Sequence, residues 1–63
     1  MPFITVKVLE GKTTEQKSEL VRRMTQVVSE SFDVEPDKVF IFFEDLAKKD
    51  YGKNGKLQSD PDA

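Results

Sequence analysis

Met1-Pro2-Phe3-Ile4-Thr5-Val6-Lys7-Val8-Leu9-Glu10-Gly11-Lys12 opens the chain. From Phe3 to Leu9 the residues alternate, with Ile4, Val6 and Val8 on one side and Thr5 and Lys7 on the other, which is the period of a half-buried strand. Phe3 and Leu9 lend the second side apolar character, so cover is expected there too. Proline is acceptable at a strand's first position, where no ladder donor is needed, and Glu10-Gly11 ends the strand. If Met1 is removed, which the compact Pro2 behind it favours, the chain begins with a secondary amine fixed to the start of a strand. A free α-amine titrates within about one unit of neutrality. General bases work best in that range, and modest desolvation or a nearby cation would tune the group for proton transfer.

Outward from this strand, Thr13 to Gln16 reads as a capping box that starts a helix, with Glu15 in the first turn where the helix dipole favours an anion. Leu20, Val21, Met24, Val27, Val28 and Phe32 form an apolar stripe at helical spacing, and Glu19, Arg22, Arg23, Gln26 and Glu30 take the other side. Glu19 and Arg23 are spaced as a favourable i,i+4 pair. The helix is expected to stop near Asp33, because Pro36 cannot continue it. Lys38-Val39-Phe40-Ile41-Phe42-Phe43 is apolar on both faces, as in a strand covered on two sides. Strand, capped helix and strand make a βαβ unit with parallel strands. Asn54-Gly55 then signals a hairpin, too poor in apolar residues to stand without a neighbouring subunit, and residues 59–63 read as a disordered tail. The reading is one α/β (α+β) domain over residues 1–58, a single βαβ unit with a C-terminal hairpin, assembled as an oligomer.

Composition narrows the chemistry. The chain has 63 residues, no cysteine and no histidine, which removes disulfides, the best zinc and copper ligands, the usual neutral-pH base and the best nucleophile. No metal or other cofactor is expected. A domain this small buries only about 60% of its unfolded surface, so self-association is the expected staple. Net charge is −2, with ten basic residues dispersed among twelve acidic ones, unlike the basic stripe of a nucleic-acid binder. The apolar run Val39–Phe43 is too short to cross a bilayer and no charged leader precedes a signal region; a soluble cytoplasmic protein is expected.

With these residues in hand, the chain resembles the 4-oxalocrotonate tautomerases, the short-chain group of the tautomerase superfamily. The resemblance is carried by Pro2-Phe3-Ile4-Thr5-Val6, by Leu9-Glu10-Gly11-Lys12-Thr13-Thr14-Glu15-Gln16-Lys17, and by Tyr51-Gly52 before Asn54-Gly55. It implies a tautomerase-like βαβ subunit in a hexamer built as a trimer of dimers, and cofactor-free keto-enol tautomerisation of a small unsaturated 2-oxo or 2-hydroxy carboxylic acid. It further implies that Pro2 is the catalytic proton shuttle and that three positions bind substrate. Lys12 stands where an arginine usually grips a carboxylate, Tyr51 where a phenylalanine keeps the pocket apolar, and Phe40 where a second arginine polarises a carbonyl. Lysine at 12 keeps the charge and loses the planar two-pronged donor. With Phe40 in place of the second arginine, Lys38, Lys7 or a backbone amide must serve, or the substrate differs.

Blander readings stand beside these. Taken singly, Lys12 is an ordinary solvated loop lysine, Tyr51 a packing residue, and the cluster from Phe40 to Phe43 core and interface. Glu44 and Asp45 are neighbours on a strand and point to opposite faces, so they do not form a catalytic dyad. The alternatives to a tautomerase are a diverged relative, dehalogenase-like or decarboxylase-like, and a non-catalytic self-assembling binding module.

Overall fold

The computed structural model describes residues 1–62. The elements run β1 (Phe3–Leu9), α1 (Thr14–Phe32), a 3₁₀ turn at Pro36–Lys38, β2 (Phe40–Leu46), a second 3₁₀ turn at Lys48–Asp50, and the short strands β3 (Gly52–Lys53) and β4 (Lys56–Leu57). β1 and β2 pair in parallel, from Phe3 opposite Phe40 to Leu9 opposite Leu46. β3 and β4 form a separate antiparallel hairpin. The βαβ unit with its C-terminal hairpin is therefore the architecture expected from the sequence.

The helix begins where its chemistry directs. Thr13 accepts from the Gln16 amide at 3.1 Å and donates its own amide to the Gln16 side chain at 2.9 Å, a reciprocal capping box. It ends at Asp33, which adopts the left-handed conformation (φ 54°) and returns its amide to the Ser29 carbonyl. On the outer face Glu19 binds both Arg22 and Arg23. These two guanidinium groups, Arg22 foremost, lower the Glu19 carboxyl from its ordinary 4.5 to about 2.

β2 departs from the expected strand at both ends. Lys38 belongs to the 3₁₀ turn, where its amide donates to Glu35 at 2.9 Å and the Val39 amide to Pro36 at 3.2 Å. Proline's fixed φ suits the first position of a helical turn, so Pro36 winds the chain once more before extension begins. At the other end the strand runs through Glu44 and Asp45 to Leu46, because β1 supplies ladder partners as far as Leu9.

Alternation sorts the sheet into two faces. Ile4, Val6, Val8, Ile41 and Phe43 are half-buried, while Phe3, Leu9, Phe40 and Phe42 are exposed. Phe3 and Phe40 stack across the strands with ring centroids 5.2 Å apart. Among the described residues nothing covers the face carrying them: Phe3 is 66% and Phe42 52% exposed. The sequence reading of β2 as apolar on both faces holds, and the second cover it implies is not supplied by the described residues of the subunit. The expected helix stripe is also only partly sheltered. Val21, Met24 and Val28 are half-buried, whereas Val27 and Phe32 lie open.

Among the described residues no side chain is fully buried. The radius of gyration is 15.4 Å, against roughly 11 Å for a compact chain of this length. The hairpin uses the predicted turn, with Asn54 and Gly55 at φ 55° and 77°, the paired positive values of a type I′ connection. Beyond it the Asp60 amide donates to Leu57 at 2.9 Å and Lys56 pairs with Asp62 at 3.0 Å. Of the tail expected over residues 59–63, Ala63 lies outside the described residues. Among the described residues no helix is long and apolar enough to cross a membrane.

Candidate active site

The topology divides the four singled-out residues into two pairs. Parallel strands start at the same end of a sheet, so Pro2, just before β1, and Phe40, the first residue of β2, are adjacent: the Phe40 amide donates to the Pro2 carbonyl at 3.0 Å. That bond adds a rung below the ladder and holds Pro2 against β2. Its nitrogen has no hydrogen to give the ladder, and Pro2 lies at the end of the sheet where both strands begin. The aromatic stack of Phe3 on Phe40 lies directly beside it.

Lys12 and Tyr51 follow the opposite ends of the same two strands. β1 has seven residues and is about 20 Å long at strand rise. The turn carrying Lys12 is fixed there on both sides, since the Glu10 amide donates to the Leu46 carbonyl at 3.0 Å and Thr13 is locked by the capping box. Gly11, at φ 108°, takes a conformation closed to most side chains. Tyr51 joins the second 3₁₀ turn to the hairpin. It is half-buried and its carbonyl accepts from the Gln58 amide at 3.0 Å.

One subunit thus brings Pro2 to Phe40 but separates both from Lys12 and Tyr51 by the length of the sheet. A site using all four would need the Pro2 end of one chain and the Lys12 end of another.

At the Lys12 end, β1, β2 and the start of α1 border an open cavity of about 190 Å³, lined by Val6, Val8, Leu20 and Phe43 and carrying Lys12, Gln16 and Lys17. Lys17 reaches Asp45 at 2.9 Å and its ammonium lies 5.5 Å from the centre of the Phe43 ring, within cation–π range. Lys12 forms no ion pair or hydrogen bond with another side chain among the described residues. The sequence reading did not single out Lys17 and Asp45 as partners, for they are 28 residues apart. The parallel register could have found them, because it sets Asp45 opposite Val8, on the helix side of the sheet.

A small βαβ subunit with an N-terminal proline strand, and a basic residue in a fixed turn at the far end, is the outline that the resemblance to the tautomerases, a class of isomerases, implies. The family model for tautomerase enzymes matches residues 2–60. The chain is 43% identical over 60 residues to 2-hydroxymuconate tautomerase of Bacillus subtilis, spanning 95% of this chain and 97% of that protein. It superposes on the crystal structure of YwhB, a homologue of 4-oxalocrotonate tautomerase, with a TM-score of 0.85 at 42% identity, covering 94% of this chain and 97% of the other. A heterohexameric 4-oxalocrotonate tautomerase from Chloroflexus aurantiacus matches with a TM-score of 0.83 at 26% identity, over 97% and 98% of the two chains. This chain belongs to the tautomerase family, in its 4-oxalocrotonate tautomerase-like group, and is an isomerase of that type.

Proposed function

We propose that this protein tautomerises a small unsaturated 2-hydroxy or 2-oxo carboxylic acid without a cofactor, with the amine of Pro2 as general base and acid. The carrying observation is the place of Pro2. Its carbonyl is tied to the Phe40 amide and it stands at the end of the sheet where both strands begin, in a chain with no histidine. The amine takes the proton from the 2-hydroxyl of the enol, electrons shift through the conjugated system, and the resulting ammonium returns a proton to carbon. The atoms balance without redox change. Lys12 binds the substrate carboxylate, and Tyr51 and Phe40 supply apolar walls that limit hydration of the amine.

The site completes only in an oligomer, because Lys12 and Tyr51 must come from a chain other than the one supplying Pro2. The open faces of Phe3, Phe40 and Phe42 on the sheet, and of Val27 and Phe32 on the helix, supply apolar area for such assembly. The heterohexameric state of the Chloroflexus aurantiacus relative favours six subunits.

The amine exists only once Met1 is gone, since a proline nitrogen acylated by Met1 is a tertiary amide without useful basicity. Met1 is 70% exposed and accessible to processing. The test is an ultraviolet assay with 2-hydroxymuconate and with phenylenolpyruvate, comparing protein whose intact mass shows Met1 removed with protein that retains it. Conversion confined to the processed form is expected; processed protein that turns over neither acid would refute the proposal. A second reading is favoured by Phe40, which puts an aromatic ring beside Pro2. The same amine could then protonate a carbanion or activate water in a halogenated or decarboxylating acid, and release of halide or carbon dioxide from such substrates would distinguish it.

A further inference from the structure

The Lys12 end of the sheet holds more charge than one carboxylate-binding amine requires. Lys12 and Lys17 both reach the cavity walled by Val6, Val8 and Phe43. Lys17 is committed: its ammonium meets Asp45 at 2.9 Å and lies 5.5 Å from the Phe43 ring centre. Its side chain is 27% exposed and that of Asp45 45%, so the pair is partly screened and still felt across the cavity.

Asp45 is opposite Val8 in the register, and the next residue, Leu46, accepts the Glu10 amide at 3.0 Å. A carboxylate is therefore carried to the base of the turn that presents Lys12. Left unpaired there, it would attract the Lys12 ammonium and repel an incoming anion.

We propose that Lys17 and Asp45 form a positioning pair that keeps Lys12 free for the substrate carboxylate. The proposal rests on the reading above in which Lys12 binds that group. Lys17 neutralises Asp45, so the cavity keeps one net positive charge and that charge belongs to Lys12. The Phe43 ring meets the Lys17 ammonium from the strand side. The pair touches no reacting atom; it sets the charge that the substrate meets.

Charge counting separates this role from a tether between α1 and β2. Lys17→Met keeps an unbranched apolar side chain in the same cavity and takes the local charge from plus one to zero. Asp45→Asn takes it to plus two, and the double variant returns it to plus one. With phenylenolpyruvate as the probe, KM should rise roughly tenfold in Lys17→Met, fall in Asp45→Asn, and come back to within about twofold of the unaltered protein in the double variant. The value of kcat should stay nearly constant throughout, because Pro2 and its surroundings are untouched.

A tether predicts something different: both single variants weakened in the same direction, and no recovery in the double. Either that pattern or an unmoved KM in Lys17→Met overturns the proposal while leaving the proline mechanism standing. Thermal melts and gel filtration on the four proteins identify any variant that has lost its fold. Amide chemical shifts titrated with adipate, an unreactive dicarboxylate, should rank the four proteins in the same order by Kd. That ranking holds or fails whether or not phenylenolpyruvate is turned over, whereas inactivity of the processed, unaltered protein with both acids strikes the proline mechanism instead.

Discussion

Phe40 donates its amide to the carbonyl of Pro2 at 3.0 Å, so the proposed base is bonded through its own backbone to the first residue of β2. The alanine amine in Pro2→Ala would be held by the same bond, with a primary amine in place of the ring nitrogen. With Met1 removed from both proteins, kcat/KM in the ultraviolet assay should fall by roughly a hundredfold or more, with the oligomer unchanged by gel filtration. Full activity in the variant would remove Pro2 from the mechanism.

The separation of Pro2 from Lys12 by the length of the sheet makes a sharper prediction. Pro2→Ala and Lys12→Ala chains should each be nearly inactive alone. Unfolded together and reassembled, they should recover activity, because roughly a quarter of sites in a random equal mixture then pair an intact Pro2 with an intact Lys12. No recovery in verified mixed oligomers would place both residues' work within one chain.

Phe40 should govern the choice of acid. Its ring stacks on Phe3 beside Pro2 and offers no charge to a second carboxylate or a carbonyl. Phe40→Arg introduces a planar two-pronged donor there and should raise kcat/KM for 2-hydroxymuconate relative to phenylenolpyruvate by roughly tenfold. An unchanged ratio would separate Phe40 from substrate selection.

Gly52 adjoins Tyr51, and a Cβ built on it would lie 2.9 Å from the Lys56 carbonyl oxygen. Gly52→Ala must therefore spread the hairpin, at a cost of about 1 kcal/mol or more. Tyr51 is the only tyrosine and the chain has no tryptophan, so tyrosine fluorescence reports this segment alone. A changed emission together with a lowered melting temperature is expected; an unaltered spectrum and melt would show that the hairpin absorbs the methyl group.

Glu19 gives a pH dependence whose sign follows from its partners. Hydrogen bonds from Arg22 and Arg23 lower its carboxyl from 4.5 to about 2, so the folded state binds this proton less readily than the unfolded chain. The stabilisation is fully present above about pH 4.5 and is lost as pH falls toward 2. It is small, because all three side chains are in solvent. The melting-temperature difference between the unaltered protein and Glu19→Gln should be positive at pH 6 and vanish near pH 2, and a difference constant across that window would show that the two ion pairs contribute nothing.

Much of the fold was legible in the residues because its signals are local. The alternation of Phe3–Leu9, the Thr13–Gln16 capping box, the halt at Asp33 and the Asn54-Gly55 turn each depend on neighbours within a few positions, and the structure contains all four. Lys38 falls in a turn rather than in β2 because Pro36 opens a 3₁₀ turn, where its fixed φ fits the first position; the same φ suits extended backbone, so the residue by itself did not decide between them. The four candidate positions could be named from the family resemblance, but the hydrogen bond that ties Pro2 to Phe40 and the length of sheet between them and Lys12 and Tyr51 were seen only in the structure. The separation follows from the parallel pairing, which sets the starts of β1 and β2 side by side and carries Lys12 and Tyr51 away together. The Lys17–Asp45 pair likewise depends on register between segments 28 residues apart. Local preferences determined which elements form and, through the strand-helix-strand order, that β1 and β2 run parallel; only the tertiary arrangement, through register, decided which side chains meet within the chain.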